Sequence, residues 1–165
     1  MSLDFLTDDL LIKNNSFDGP VVVTGAGGCI AAWVLTILHR SHIPCIAIDL
    51  TDNKNRLELL LGNETNKIDW KVCDITHLEK LSKIITGFKP SAIIHLAGLQ
   101  VPFCAENPAL GARVNVEGTI NILEIAKIAN IKRTVYASSV AALGLPPNGP
   151  WKETLYGAYK LANEH

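Results

Sequence analysis

The chain has 165 residues, 48% of them hydrophobic and 19% charged, with 15 Lys and Arg against 16 Asp and Glu for a net charge of −1. That length points to one domain with a sizeable core, and so much apolar mass excludes a mainly disordered state. The balanced charge leaves no net field to hold nucleic acid or an anionic membrane non-specifically.

Residues 1–18 turn polar toward their end (Lys13, Asn14, Asn15, Ser16) and read as an N-terminal leader, with residues 19–165 as the domain proper. The leader carries Asp4, Asp8 and Asp9 and no basic opening, so it does not read as a secretory signal. Residues 19–39 contain no Asp, Glu, Lys or Arg, a run long enough to span a membrane. Gly25, Gly27 and Gly28 interrupt it just after Val21, Val22 and Val23, and a strand, a glycine turn and a helix over 29–39 account for it better. A second strand over 45–48 closes at Asp49, and 56–61 predict a short helix stopped by Gly62. Residues 68–72 alternate as a strand, 76–86 have helical spacing, and 92–94 form another buried strand. One long helix is predicted over 109–130, a fifth strand over 134–136 and a loop over 146–150. A last helix begins at Tyr156 and runs uncapped to His165, from which we expect a fragment of something longer, truncated in this helix. The alternation of strand and helix predicts an α/β fold, a doubly wound parallel sheet with right-handed crossovers.

Cys29, Cys45, Cys73 and Cys104 form no C-x-x-C pair and sit among apolar residues, so four reduced core thiols are expected. The five histidines show no ligand spacing, and no metal site is expected. His95, at the end of the fourth strand, reads as a satisfied structural histidine beside the site, and Trp33 as a core residue.

Two constellations carry chemistry. In the first, Gly25, Gly27 and Gly28 join the first strand to the first helix, where a pyrophosphate could approach unpaired N–H groups and the positive end of the helix dipole. Ala31 permits close helix–strand packing, and Asp49 follows Gly25 by 24 residues, at the next strand end, where a carboxylate can accept both hydroxyls of an adenosine ribose. In the second, Tyr156 and Lys160 stand at i and i+4 on one helical face, and Ser138 and Ser139 follow the fifth strand. An ammonium near a phenol favours the phenolate, which can exchange a proton with an alcohol or ketone.

These residues resemble the extended branch of the short-chain dehydrogenase/reductase superfamily, most nearly its NAD-dependent nucleotide-sugar epimerase/dehydratase proteins of the UDP-galactose 4-epimerase type. The resemblance covers residues 20–165 and rests on Thr24-Gly25-x-x-Gly28-x-x-Ala31, Asp49, Cys73-Asp74-Ile75 and the run from His95 through Leu96, Ala97, Gly98 and Leu99 to Gln100. It continues through Asn115-Val116-Glu117-Gly118-Thr119, Ala137-Ser138-Ser139 and Tyr156-Gly157-x-x-Lys160-x-x-x-Glu164. It implies a Rossmann-type domain with NAD as cofactor. Cys29 and Ile30 would lie on the pyrophosphate, Asp49 on the ribose and Asp74 and Ile75 at the adenine. Leu96, Ala97 and Gly98 would line the cofactor near its nicotinamide half, with Asn115 supporting the site behind the lysine. Ser139, Tyr156 and Lys160 would be the catalytic group. The chain departs from the family at Ala31, at Tyr159 (usually small), at Leu143 (commonly tyrosine) and in a short stretch between Ser139 and Tyr156. Val140 and Ala141 follow Ser139 where dehydratases carry an acidic pair, so dehydration is disfavoured, and the family's C-terminal substrate domain is missing from this chain.

The expected function is that of an NAD-dependent sugar-nucleotide epimerase or oxidoreductase, this fragment alone being inactive. The alternatives are a dehydrogenase or reductase of a non-nucleotide alcohol, and a non-catalytic dinucleotide-binding sensor. The expected partner is a small molecule, a nucleotide sugar, with no nucleic acid and no membrane, in the cytoplasm. The 109–130 helix is apolar on two faces, one through Val116, Ile120 and Leu123 and one through Ile122, Ile125 and Ala129, so one face can cover the sheet and the other needs a partner. The resemblance implies that this partner is the same helix of a second subunit, a homodimer in a four-helix contact with the helix starting at Tyr156.

Overall fold

In the computed structural model, which describes residues 8–13, 17–144 and 153–165, the predicted strands pair in parallel into one sheet. They are β1 (Val21–Thr24), β2 (Cys45–Asp49), β3 (Asp69–Val72), β4 (Ala92–His95) and β5 (Arg133–Tyr136), in the spatial order β3-β2-β1-β4-β5. Thr24 at the end of β1 stands level with Ile48 on one side and His95 on the other. The chain winds outward from β1 through β2 to β3, then crosses back to β4, so a crevice opens beyond the carboxyl ends of β1 and β4.

Both faces of the sheet are buried, which is why β1 is an unbroken valine run without polar alternation. Val21 and Val23 pack on one face with Leu35 and Leu38 of α1 (Cys29–Arg40) and Leu57 of α2 (Asn55–Leu61). Val22 faces the other way, among Leu81 and Ile85 of α3 (Leu78–Phe88) and Ile122 and Ile125 further along the chain. The two-residue period of a strand thus divides three identical side chains between two cores.

Several boundaries differ from the sequence reading. A six-residue 3-10 segment, Gly62–Lys67, follows α2. Helix α3 starts at Leu78, because the Asp74 carboxylate accepts the Thr76 N–H and hydroxyl, each at 2.8 Å, and holds that stretch in a turn. An unanticipated helix, α4 (Val101–Glu106), precedes α5 (Pro108–Ala112), whose first turn is capped by the Asn107 side chain. The helix predicted over 109–130 is α5, a π-helical turn over Arg113–Glu117 and α6 (Gly118–Ile128). At that turn the Gly118 N–H reaches back five residues to the Arg113 carbonyl. Its register change accompanies an Asn115 side chain drawn inward onto the backbone of Leu99. On α6, Ile122 and Ile125 are buried whereas Ile120 and Leu123 are 51% and 43% exposed, matching the two apolar faces read from the sequence.

The last helix, α7 (Leu155–Ala162), does not run to His165: Asn163 is its C-cap, and the Asn163 amide is engaged by neighbouring elements. The cysteines are not four core thiols, since Cys29 is exposed at the start of α1, Cys45 is half-buried, and only Cys73 and Cys104 are buried. Trp33 is half-buried on α1. The loop expected over 146–150 and Trp151 lie outside the described residues. Among the described residues no helix is long and apolar enough to cross a membrane, and no group of three His, Cys, Asp or Glu is placed to hold a metal ion.

Candidate active site

The two constellations meet at the carboxyl edge of the sheet. At the glycine turn, Gly25 has φ +70°, and a Cβ there would lie 2.6 Å from the Ala97 backbone nitrogen, so glycine lets β1 turn tightly against the end of β4. Gly28 is the N-cap of α1 and offers no side-chain cap. Cys29 and Ile30 follow it exposed, so the first N–H groups of this twelve-residue helix face outward with no partner of their own helix. Ala31, 1% exposed, is small enough to sit against the strand. The Asp49 carboxylate accepts the Gly27 N–H at 3.0 Å and the Thr51 N–H at 3.3 Å, which brings the acid and the turn together as expected from their spacing. Arg56 of α2 also reaches the turn, its Nη1 donating to the Gly27 carbonyl at 2.9 Å. Lys54 is held 5.6 Å from the Trp70 ring centroid.

Asp74 is half-buried and bonded to Thr76, and Ile75 is 6% exposed with its side chain against Gly118, where a Cβ would be 2.5 Å from Ile75 Cδ1. The Ile75 side chain is therefore spent on the core and not on the open edge. Leu96 and Ala97 are half-buried, with their N–H groups bonded to the Thr24 carbonyl and hydroxyl. Gly98 is exposed, and a Cβ on it would stand 3.2 Å from Asn115 Oδ1 and 4.0 Å from Lys160 Nζ.

That contact leads to the second constellation. Helix α7 begins at its N-cap Thr154, whose hydroxyl accepts the Gly157 N–H at 3.0 Å. A Cβ on Gly157 would be 2.2 Å from the Ala141 carbonyl oxygen, so this glycine lets α7 lie against the 3-10 turn Val140–Leu143 that Ser139 caps. Ser139 Oγ accepts the Ala141 N–H at 3.2 Å. Tyr156 and Lys160 share one face as predicted, with Lys160 Nζ 5.6 Å from the Tyr156 ring centroid. Lys160 is only 6% exposed, its ammonium donates to the Ala137 carbonyl at 2.6 Å, and burial holds its pKa below the usual lysine value. Asn115, 2% exposed, accepts the Leu99 N–H at 2.7 Å and donates to the Leu99 carbonyl at 2.9 Å, fixing the loop that carries Gly98.

His95 is the structural histidine expected. Its Nδ1 lies 2.6 Å from the Thr24 hydroxyl and its Nε2 3.1 Å from the Thr119 hydroxyl. Thr119 gives its own proton to the Asn115 carbonyl at 2.8 Å, so it must accept from Nε2–H, and Nδ1 accepts from Thr24. Burial, then the Lys160 charge, pushes the His95 pKa down to about 4. Tyr159, where a small residue was expected, donates to the Pro108 carbonyl at 2.9 Å and lies over Gly111, a pairing of large with small across α7 and α5.

Comparison with known proteins decides the family. The profile of the NAD dependent epimerase/dehydratase family matches residues 21–165. The chain belongs to that family. UDP-glucose 4-epimerase 2 of Oryza sativa subsp. japonica is 29% identical over 157 residues, which is 87% of this chain and 38% of the relative. UDP-glucose 4-epimerase of Mycolicibacterium smegmatis is 29% identical over 152 residues, 87% of this chain and 48% of the relative. Among solved structures, Thermus thermophilus UDP-glucose 4-epimerase in complex with NAD superposes with a TM-score of 0.75 at 25% identity, over 88% of this chain and 49% of that one. An epimerase of Methanothermobacter thermautotrophicus superposes with a TM-score of 0.78 at 25% identity, over 96% of this chain and 49% of that one. The chain thus spans half or less of each of these family members, and in this half it has the parallel five-stranded sheet of a Rossmann fold.

Proposed function

We propose that this chain is the NAD-binding and catalytic part of a sugar-nucleotide epimerase that works by hydride transfer, with Ser139, Tyr156 and Lys160 as its catalytic group. The residues fit the cofactor. An uncapped helix start beside a glycine turn suits a pyrophosphate, and Asp49, fixed by Gly27, suits a ribose diol. Gly25, Gly28, Cys29, Ile30 and Asp49 would hold the adenosine half. Asp74 and Ile75 would border the adenine, Ile75 through its backbone. Leu96, Ala97 and Gly98 would line the path to the nicotinamide half, over Asn115. Bound NAD supplies a hydride acceptor that can return the hydride to the same carbon.

The chain's own residues handle the proton. The Tyr156 phenolate takes the proton from a substrate hydroxyl as the carbon–hydrogen bond breaks, and the resulting phenol gives it back when that bond re-forms. The Ser139 hydroxyl holds the same substrate oxygen. The Lys160 ammonium stabilises the phenolate and meets the nicotinamide ribose. Val140 is 62% exposed and Ala141 is half-buried, so no carboxylate follows Ser139 to drive elimination of water.

The observation that carries this reading is Lys160, buried at the open edge without an acidic partner among the described residues and flanked by Tyr156 and Gly98. The UDP-glucose 4-epimerase relatives support the substrate class. We further propose a homodimer in which a second copy covers Ile120 and Leu123 of α6, and a cytoplasmic location in keeping with free thiols. The test is an assay of the native protein with UDP-galactose and NAD. Appearance of UDP-glucose without net NADH is the expected result. Accumulating NADH with an alcohol substrate would instead indicate a dehydrogenase, and NAD binding without turnover a sensor.

A further inference from the structure

Lys160 poses a problem of charge. An ammonium this far from water needs compensation, and in a buried site that is ordinarily a carboxylate. Among the described residues Lys160 has no ion-pair partner, and its one hydrogen bond goes to the Ala137 carbonyl at 2.6 Å. Beside it stands an aromatic face: Lys160 Nζ is 4.5 Å from the centroid of the Tyr136 ring, closer than the 5.6 Å to Tyr156.

The Tyr136 ring is itself held. Asn163 donates to its hydroxyl at 3.0 Å, while the same amide donates to the Asn115 carbonyl at 2.7 Å. The His95 imidazole stacks on the ring with centroids 6.0 Å apart and planes 28° from parallel. A phenol fixed at both ends cannot swing off the cation, and the quadrupole of a ring attracts a cation placed over its face. We infer that Tyr136, anchored by Asn163, is a positioning residue whose ring face stands in for the missing counter-ion and holds the Lys160 ammonium where the site needs it. This rests on the reading of Lys160 as catalytic.

Apart from Tyr156, which is neutral whenever its phenol holds the proton, the groups around the ammonium leave that task to Tyr136. His95 of β4 is neutral above a pKa of about 4. The Cys104 thiol of α4 is pushed up by burial and stays protonated near neutrality. Glu164, beyond the end of α7, is engaged by the Ser138 hydroxyl. Glu106 of α4 and Arg113 and Glu117 of the π-helical turn are exposed.

The test changes the ring's electrostatics and keeps its shape. Progressively fluorinated phenylalanines at position 136, with Tyr136→Phe as the reference, are introduced into the 165-residue chain, and the Lys160 titration is followed by NMR at its Cε. The expected result is a stepwise fall of the Lys160 pKa, by about one pH unit from the unfluorinated to the most fluorinated ring. In the native protein the basic limb of the kcat/KM profile moves to lower pH by the same amount, and Tyr136→Leu moves it at least as far. A Lys160 titration unmoved across the series overturns the inference. Near-normal turnover in Lys160→Met would overturn the catalytic reading of Lys160 instead, and the NMR series tells the two failures apart.

Discussion

At the glycine turn the backbone itself makes the site. Gly25 and Gly28 set a sharp bend, α1 presents its uncapped N–H groups, and a single carboxylate, Asp49, is fixed by the Gly27 N–H. At the other end of the same open edge, side chains from β4, β5, the π-helical turn and α7 hold one another. Asn163 reaches Asn115 and Tyr136, Thr119 links His95 to the Asn115 carbonyl, and Lys160 lies within this network. The first region is local, assembled from residues 24–31 and one neighbouring strand end. The second requires segments far apart in the chain to arrive together, as the hydrogen bond from Asn163 to the Asn115 carbonyl, 48 residues away, shows. A phosphate needs only donors, which any well-turned backbone supplies. A proton carrier needs a charge held in a dry place, which only packed side chains supply.

The largest effect that would sharpen this contrast is catalytic. Tyr156→Phe keeps the ring and removes the proton carrier, so turnover of the native protein should fall by at least ~10²-fold with NAD binding little changed. Near-normal turnover would mean that another group carries the proton. At the backbone end the matching change is Gly25→Ala. The positive φ and a Cβ 2.6 Å from the Ala97 nitrogen should cost stability, on the order of 3 kcal/mol, read by urea unfolding of the chain. A loss below about 1 kcal/mol would show that the turn can relax.

Acid separates the two ends more gently. His95 is buried neutral with its pKa pushed down to about 4, below the ordinary value of 6.5 for the unfolded chain. Its contribution to stability is therefore present above the unfolded value and is lost as pH falls toward 4, because the unfolded state binds the proton first. Between pH 7 and pH 5 that loss is about 2 kcal/mol, measurable as a drop in the urea midpoint, while a His95 ring resonance followed by NMR stays in its neutral form. A ring that titrates near 6.5 in the folded chain would remove His95 from the network.

The smallest effect concerns cofactor choice. Asp49 should favour NAD over NADP by at least tenfold, about 1.4 kcal/mol, since its carboxylate repels a 2′-phosphate. Asp49→Ala should narrow the preference, all the more because the Arg56 guanidinium already reaches the turn. Side-by-side titrations of both cofactors decide it, and an unchanged ratio would make Asp49 a bond acceptor for Gly27 and nothing more.

The sequence by itself determined the order of strands and helices, the glycine turn with its acid, and the pairing of Tyr156 with Lys160. Each of these depends on near neighbours or on a short period, and a strand's two-sided burial or a helix's i, i+4 face is written in consecutive residues. It did not show the π-helical turn at Asn115, the α4 segment, the end of α7 at Ala162, the exposure of Cys29, or the network of Tyr136, Thr119 and Asn163. Nothing in the pattern around Asn163 distinguishes it from a solvated helix end. Only when α7 lies against α5 and the Ser139 turn, through Gly111 and Gly157, does its amide come within reach of three partners. That arrangement was decided by tertiary packing, because a half-buried polar group takes whichever partners the fold brings to it, and those partners lie far away along the chain.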